Sequence, residues 1–217
     1  MTLTFAEEII LLLLRDHDGR FVRVPNWSLE YAMAGGVLMD LAMENRIDTD
    51  LENLILVDST PVGDNLLDPT LAEIAADETH PTRHWVERTV ERADAIHQEA
   101  LARLVERGIL EQQEKRFLWA FRSRRYPLVD GRAEREVKLR IMEVLFSDEI
   151  PDPRDIMLIC LVDACGIFNE LLSKQELGNA ADRIAQVRRM DLIGQATTQA
   201  IRDIEFSIAV SVQPHMY

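Results

Sequence analysis

The sequence lacks the long apolar runs that a membrane span requires. Its 217 residues contain no stretch that approaches the roughly 20 apolar residues needed to cross a bilayer. The apolar run Ile9 to Leu14 follows Glu7 and Glu8, whereas a secretory signal places basic residues before its apolar stretch. We therefore expect no signal peptide and a cytoplasmic location.

Cysteine, glycine and proline are also scarce. Cys160 and Cys165 are the only cysteines, and both lie in the apolar run 156–167, where cysteine usually acts as a small hydrophobic residue. Because a five-residue offset does not bring both side chains to one helix face, we expect buried free thiols and no disulfide. The 9 glycines and 8 prolines are too few for a low-complexity chain. We expect one globular domain over residues 1–217.

The usual motifs of catalysis are absent. The turn Gly63-Asp64 lacks the further glycines and the lysine of a phosphate-binding loop, and no Gly-x-Ser-x-Gly motif occurs. Between Asp40 and Glu78 the chain has eleven acidic residues against the single Arg46, which favours a solvated acidic face over an active site. We predict that the protein is not an enzyme and uses no cofactor.

His80 and His84 have the spacing of two metal ligands on one helix face. Pro81 lies between them and suits the start of a helix better than its interior. We interpret the pair as exposed polar residues at a helix entrance and predict no metal site.

Capping residues and apolar periodicity predict a mainly α fold. Thr4 and Glu7 have the spacing of a capping box for a helix over 5–15. The next helix, over 28–44, contains Gly35-Gly36, which indicates close packing against a neighbour. Gly108 is expected to end one helix, or two end to end, over 82–108. Further helices are predicted from Asp68 (as N-cap, before Pro69) and over 132–146, 153–172, 178–189 and 192–212, with a short strand within 46–58.

Residues 109–124 resemble a β-hairpin in which two apolar strands flank a charged turn over 111–116. The second segment is aromatic and lies within a basic island, 111–140, which has nine basic and five acidic residues, a net charge of +4. The chain as a whole has a net charge of −14, so the remaining residues carry −18 and broad attraction to nucleic acid is not expected.

Aromatic rings beside cations suit a membrane interface, where the rings enter at headgroup depth and the cations meet phosphates. The alternative is an aromatic hairpin that packs on the core while its arginines contact water. The candidate membrane-contacting or self-association residues are Phe117, Leu118, Trp119 and Phe121, and the candidate headgroup ligands of the hairpin are Arg122, Arg124 and Arg125.

Three segments carry a resemblance to a known family. Residues 61–68 read PVGDNLLD, which is similar to the Pro-Thr-Gly-Asp-x-Leu-Leu-Asp signature of the Golgi phosphoprotein 3 family. Residues 35–42, GGVLMDLA, are followed by Asn45-Arg46-Ile47, and residues 104–110 read LVERGIL. Both resemble family segments in the same order and at similar spacing, and the likeness runs from about Leu3 to beyond Leu172.

The resemblance implies one compact, mainly helical domain with a projecting β-hairpin. It also implies a peripheral membrane protein that binds phosphatidylinositol 4-phosphate, as the Golgi members do when they act as adaptors that retain glycosyltransferases. In those members a tryptophan and several arginines form the headgroup pocket, and the hairpin enters the bilayer or mediates self-association. Possible partners are therefore anionic lipid, protein clients and a second copy of the chain.

This chain departs from the family at the headgroup pocket. Ala34, Asp94 and His97 stand where the pocket arginines align, and Trp27 lies two positions from the family's tryptophan. A phosphorylated inositol requires several basic donors, and His97 is a donor of charge only when protonated. We predict that Trp27 and His97 remain as headgroup candidates, and that anionic lipid is contacted mainly through the hairpin.

Two alternatives come from other functional classes. A helix followed by an aromatic hairpin also resembles a winged-helix DNA-binding module, although the segment Glu87 to Arg107 carries many carboxylates that phosphates would repel. The other alternative is a protein-interaction or oligomerisation module with the hairpin as its interface.

Overall fold

The computed structural model describes residues 2–15, 18–50, 52–116 and 122–211. The helices are α1 (Phe5–Leu13), α2 (Asn26–Met43), α3 (Asp68–Ala76), α4 (Thr82–Val90), α5 (Ala93–Glu106), α6 (Arg132–Phe146), α7 (Pro153–Ala164), α8 (Phe168–Leu171), α9 (Lys174–Val187) and α10 (Leu192–Ser211). The strands are β1 (Ile47–Thr49), β2 (Asn53–Leu56), β3 (His80–Pro81), β4 (Gln113–Arg116) and β5 (Arg122–Arg125). The predicted mainly α class is confirmed.

Helices α1 and α2 form the centre of the core. Every residue of α1 is buried, and its start has the predicted capping box: Thr4 Oγ1 accepts the Glu7 N–H, and the Thr4 N–H donates to Glu7 Oε2 at 2.7 Å. The glycine pair of α2 lies against two neighbouring helices, α7 and α1. A Cβ on Gly35 would be 2.5 Å from Leu161 Cδ1 of α7, and one on Gly36 would be 3.2 Å from Phe5 Cβ of α1. The close packing predicted from these glycines is confirmed.

Two small antiparallel sheets complete the fold. Strands β1, β2 and β3 form one sheet in that order, with Ile47 opposite Leu56 and Leu54 opposite His80. Strands β4 and β5 form the hairpin. The charged stretch 111–116 was predicted to be its turn, and this is wrong, because Gln113–Arg116 is strand β4 and pairs with residues 122–125. The predicted short strand within 46–58 is thus a pair of strands.

Two predicted helical segments each contain two helices. The segment 82–108 forms α4 and α5 end to end, which is one of the two predicted arrangements, and Gly108 ends α5 with a φ of +67° as expected. The segment 153–172 is not one helix, because the chain turns at Gly166 (φ +67°) between α7 and α8. Positive φ is favourable for glycine and interrupts the helical hydrogen bonds at that point.

Two predicted helix starts are also wrong. Helix α9 begins at Lys174, earlier than the predicted 178, because Ser173 and Glu176 form a second capping box. Asp68 is the first residue of α3 and not its N-cap. Its carboxylate accepts the backbone N–H groups of Val62 (2.7 Å), Gly63 (3.0 Å) and Asp64 (3.1 Å), and so holds the preceding turn.

The acidic segment 40–78 is not solvated throughout. Asp40 is buried, accepts the Phe5 N–H at 2.8 Å and lies 3.3 Å from Arg154 Nη1. Asp64 forms a two-bond pair with Arg103 at 2.7 and 2.8 Å. The prediction of a solvated acidic face is therefore wrong at these two positions, because cations from distant helices pack against them.

The predicted buried cysteines without a disulfide are confirmed: Cys160 and Cys165 are both buried and are not disulfide-bonded. Burial raises the pKa of the Cys160 thiol to about 12. Among the described residues, no helix is long and apolar enough to span a membrane.

Candidate functional site

The β4–β5 hairpin is paired from its base up to the last described residues of both strands. Leu110 bridges Leu128, the Glu111 N–H donates to the Pro127 oxygen at 2.9 Å, and the last described pair is Arg116 with Arg122. Residues between this pair fall outside the described part of the chain, and they include the predicted contact residues Phe117, Leu118, Trp119 and Phe121. The role of these four residues stays a prediction.

The three candidate arginines of the hairpin lie on one strand, β5. The register pairs Arg122 with Arg116, Arg124 with Glu114 and Arg125 with Gln113. Arg125 is half-buried, and its Nε is a buried donor without an acceptor among the described residues. A buried donor without a partner costs about 1–3 kcal/mol. A substitution of Arg125 would therefore change the stability of the hairpin base as well as its charge.

A turn from the other end of the chain packs on this base. The turn joins α1 to α2, and Leu14 bridges Phe21 across it. The oxygen of Gly19 accepts the Tyr126 N–H at 2.8 Å, and a Cβ on Gly19 would lie 2.6 Å from Pro127 N. With a φ of +62° as well, this position requires glycine.

The turn that packs on the hairpin base carries three arginines of its own. Arg15, Arg20 and Arg23 are all exposed, and Arg20 Nε lies 3.6 Å from Asp18 Oδ2. We call the set formed by these three arginines, Arg122, Arg124 and Arg125 the hairpin–turn surface. Sequence analysis missed its first three members, because they are about a hundred residues away along the chain and only tertiary contacts, such as that of Gly19 with Tyr126, relate them to the hairpin.

His97 belongs to an aromatic group at the same place. The Phe21 ring is 6.3 Å from the His97 ring, edge on, and 5.8 Å from the Tyr126 ring. Burial lowers the pKa of His97, and this outweighs the opposing effect of the exposed Asp94 carboxylate. His97 is therefore neutral at pH 7, where it contributes ring contacts and no positive charge.

Trp27 lies in a different group, in the first turn of α2. Its ring is 6.4 Å from that of Tyr31, and it lines a cleft of about 360 Å³ with Asp163 and Arg202. Arg202 donates to Asp163 at 2.7 Å, so the cation beside Trp27 is already paired. Among the described contacts, Trp27 and His97 are not brought into one pocket.

The aligned pocket positions differ in their surroundings. Ala34 is completely buried inside α2, whereas Asp94 is exposed on α5. An arginine at position 34 would need space that the core here does not have. These positions supply no cation for a headgroup.

An apolar cleft of about 430 Å³ opens next to the turn. It is lined by Leu12, Leu14, Val22 and Phe168, with Arg15 among its lining residues. Apolar surface therefore adjoins an exposed cation, which is the combination found where proteins meet a bilayer interface.

The comparisons with known proteins agree with the resemblance. The sequence model of the family described as Golgi phosphoprotein 3 (GPP34) matches residues 5–204. The chain is 25% identical over 207 residues to vacuolar protein sorting-associated protein 74 of Eremothecium gossypii, covering 79% of this chain and 62% of that protein. It is 30% identical over 166 residues to the protein of the same name from Schizosaccharomyces pombe, covering 67% of this chain and 49% of that protein.

The chain thus spans about half to three fifths of the length of these relatives. The family match covers nearly all of the described helices, and its range contains both the α1–α2 turn and the hairpin. On this evidence the chain belongs to the Golgi phosphoprotein 3 family.

Proposed function

We propose that this protein is a peripheral membrane protein of the adaptor type, which binds anionic lipid through the hairpin–turn surface. The observation that supports this most directly is the contact of Gly19 with Tyr126, because it adds exposed arginines of the α1–α2 turn to the basic island of the hairpin. Near an anionic leaflet each such cation contributes about 1 kcal/mol. A cluster of this kind offsets the overall charge of −14 locally.

Phosphatidylinositol 4-phosphate is the headgroup that the family suggests, and we propose it as one anionic ligand among others. The headgroup residues of the family pocket are replaced here by a buried alanine, an exposed aspartate and a histidine that burial keeps neutral. Without those donors, selectivity for one phosphorylated inositol falls, whereas attraction to any anionic surface remains.

The proposal is tested by co-sedimentation with three kinds of liposome: neutral, generically anionic, and neutral doped with phosphatidylinositol 4-phosphate. We expect binding to both charged kinds and not to the neutral kind, and binding that weakens as salt is added. Binding to the phosphoinositide liposomes alone would overturn the assignment to the hairpin–turn surface in favour of a selective pocket. Binding to none would overturn the lipid function and leave a protein-interaction module.

Substitutions locate the surface. The double variant Arg122→Glu with Arg124→Glu should abolish sedimentation with anionic liposomes, and Arg23→Glu should weaken it. Arg189→Glu is the matched control, since Arg189 is exposed near the end of α9, outside the hairpin–turn surface. Equal losses in Arg189→Glu and Arg23→Glu would show a general charge effect and contradict a localised site.

Trp119→Ala separates the membrane role of the hairpin tip from self-association. Loss of sedimentation with an unchanged mass in solution supports membrane contact. An apparent mass that rises with protein concentration in the parent chain, and is lower in Trp119→Ala at the same concentration, supports the oligomeric alternative. DNA binding is not proposed, because the segment considered as a recognition helix is divided into α4 and α5 and exposes Glu87, Glu91 and Asp94.

A further inference from the structure

A second group of chemically active side chains lies in the connection between α3 and α4. Asp77, His80 and His84 each offer one ligand atom, and these three atoms lie within 4.8 Å of one another. His80 Nε2 is 3.3 Å from Asp77 Oδ1, and the two imidazole rings are stacked with their centroids 4.2 Å apart. The sequence indicated only the histidine pair, and folding adds the carboxylate.

Three structural elements hold these residues in place. Asp77 is the C-cap residue of α3. His80 pairs with Leu54 in the three-stranded sheet. Two residues later, the Thr82 N–H donates to the Glu52 oxygen at 3.0 Å. His84 lies in the first turn of α4, and the buried Trp85 ring packs edge on against both imidazoles, at 5.1 and 5.9 Å. The backbone positions are therefore set before any ligand arrives.

The donor set and its charge suit a transition-metal cation. Asp77 offers a carboxylate oxygen beside the two imidazoles, 3.3 Å from His80 Nε2. Two nitrogens and one oxygen match zinc sites with three protein ligands and one open position. Hard cations such as Ca²⁺ and Mg²⁺ prefer oxygen ligands throughout. Tetrahedral zinc with bonds near 2.1 Å places its ligand atoms about 3.4 Å apart, so the three atoms, now within 4.8 Å of one another, must move closer to bind the ion.

We propose that Asp77, His80 and His84 bind one divalent transition-metal ion of the Zn²⁺ class, which joins the end of α3 to the start of α4. The side chains of Asp77 and His80 are 51% and 33% exposed, so the ion can enter from solvent and its fourth position is open to water. The site lies apart from the hairpin–turn surface, and its occupancy is independent of the lipid proposal. It is also at odds with the sequence prediction of no metal, and the experiment decides between the two.

The test is isothermal titration of the full chain, without a histidine tag, with Zn²⁺. We expect one ion per chain, together with the visible absorption of a tetrahedral complex when Co²⁺ replaces Zn²⁺. His80→Gln, His84→Gln and Asp77→Asn should each weaken binding by roughly tenfold or more, since each removes a direct ligand. Glu78→Gln is the matched control, because its side chain is exposed and its N–H contact with Asp77 is retained; its affinity should equal that of the parent chain.

A second measurement guards against unfolding of the variants. Zn²⁺ should raise the thermal midpoint of the parent chain and of Glu78→Gln, because the ion binds the folded state, and it should not raise the midpoint of the ligand variants. Circular dichroism without metal confirms that each variant is folded. An absence of saturable binding, or an affinity unchanged in all three ligand variants, would overturn the proposal.

Discussion

At the scale of single residues, Asp40 and Asp64 have opposite electrostatic surroundings within one acidic segment. Burial raises the pKa of Asp40 to about 7, because desolvation outweighs the attraction of Arg154 and the hydrogen bond from Phe5 N–H. Burial acts in the same direction on Asp64, but there the two-bond pair with Arg103 and the Leu66 N–H outweigh it and lower the pKa.

These shifts predict different dependences of stability on pH. With its pKa raised, Asp40 binds a proton more tightly in the folded state, so its contribution to stability is full below about pH 4 and is lost as pH rises towards 7. As pH rises from 5 to 7.5, the free energy of unfolding of Asp40→Asn should therefore increase relative to that of the parent, by at most about 1.4 kcal/mol per pH unit. Urea unfolding at both pH values measures this gain.

Asp64→Asn is the control of opposite sign. With its pKa lowered, Asp64 stabilises the fold at all pH values above its unfolded pKa, and the contribution is lost only as pH falls through the lower folded value. The cost of Asp64→Asn should then be the same at pH 5 and pH 7.5. If Asp40→Asn showed the same constant cost, the raised pKa of Asp40 would be refuted.

At the scale of elements, the α1–α2 turn is coupled to the hairpin through Gly19. Gly19→Ala should destabilise the fold by about 2 kcal/mol or more, because alanine is strained at positive φ and its Cβ would lie 2.6 Å from Pro127 N. It should also weaken sedimentation with anionic liposomes, because the arginines of the turn would move with it. Chemical unfolding and the liposome assay measure the two effects.

Gly108→Ala separates backbone strain from the contact. Gly108 has a similar φ of +67°, but a Cβ there would meet nothing within 4 Å. Its substitution should cost only the strain of about 1–2 kcal/mol and leave lipid binding unchanged. Equal stability losses at both glycines would mean that the turn adjusts freely against the hairpin.

At the scale of the whole molecule, a buried group of charges joins four helices. Glu8 of α1 accepts from Arg140 of α6 at 2.6 Å and from Arg154 of α7 at 3.1 Å, and Arg154 also lies 3.3 Å from Asp40 of α2. The Arg154 guanidinium lies 4.0 Å above the Phe5 ring and donates to the Leu3 oxygen. A single arginine thus pairs with two buried carboxylates, one of which it shares with Arg140, and holds the N-terminal segment.

Arg154→Met should destabilise the fold strongly at pH 7.5, by about 3–5 kcal/mol, since it leaves buried negative charge uncompensated. The loss should be smaller at pH 5, where Asp40 takes up a proton in the folded state. The control Arg189→Met replaces an exposed arginine. Its free energy of unfolding should stay within about 0.5 kcal/mol of that of the parent. A loss at Arg154 no larger than that at Arg189 would mean that the buried carboxylates find other partners.

Local sequence determined the elements whose signals lie within a few residues. The capping box at Thr4 and the left-handed Gly108 followed from short-range patterns, because caps and turns depend on neighbouring backbone groups. The existence of a hairpin near 109–124 was also predicted, but the predicted turn at 111–116 contains strand β4. The capping box at Ser173 was equally local and could have been found by the same rule. The family resemblance likewise depends on short segments and was confirmed over residues 5–204.

Only the tertiary structure decided which distant side chains meet. Gly19 with Tyr126, Asp40 with Arg154, and Asp77 with the histidine pair involve either long separations along the chain or a turn whose path no local rule specifies. Net charge and periodicity describe which residues face water on average, but they do not specify partners. Partners are selected by the packing of helices, which brings opposite charges together where burial makes an unpaired charge unfavourable.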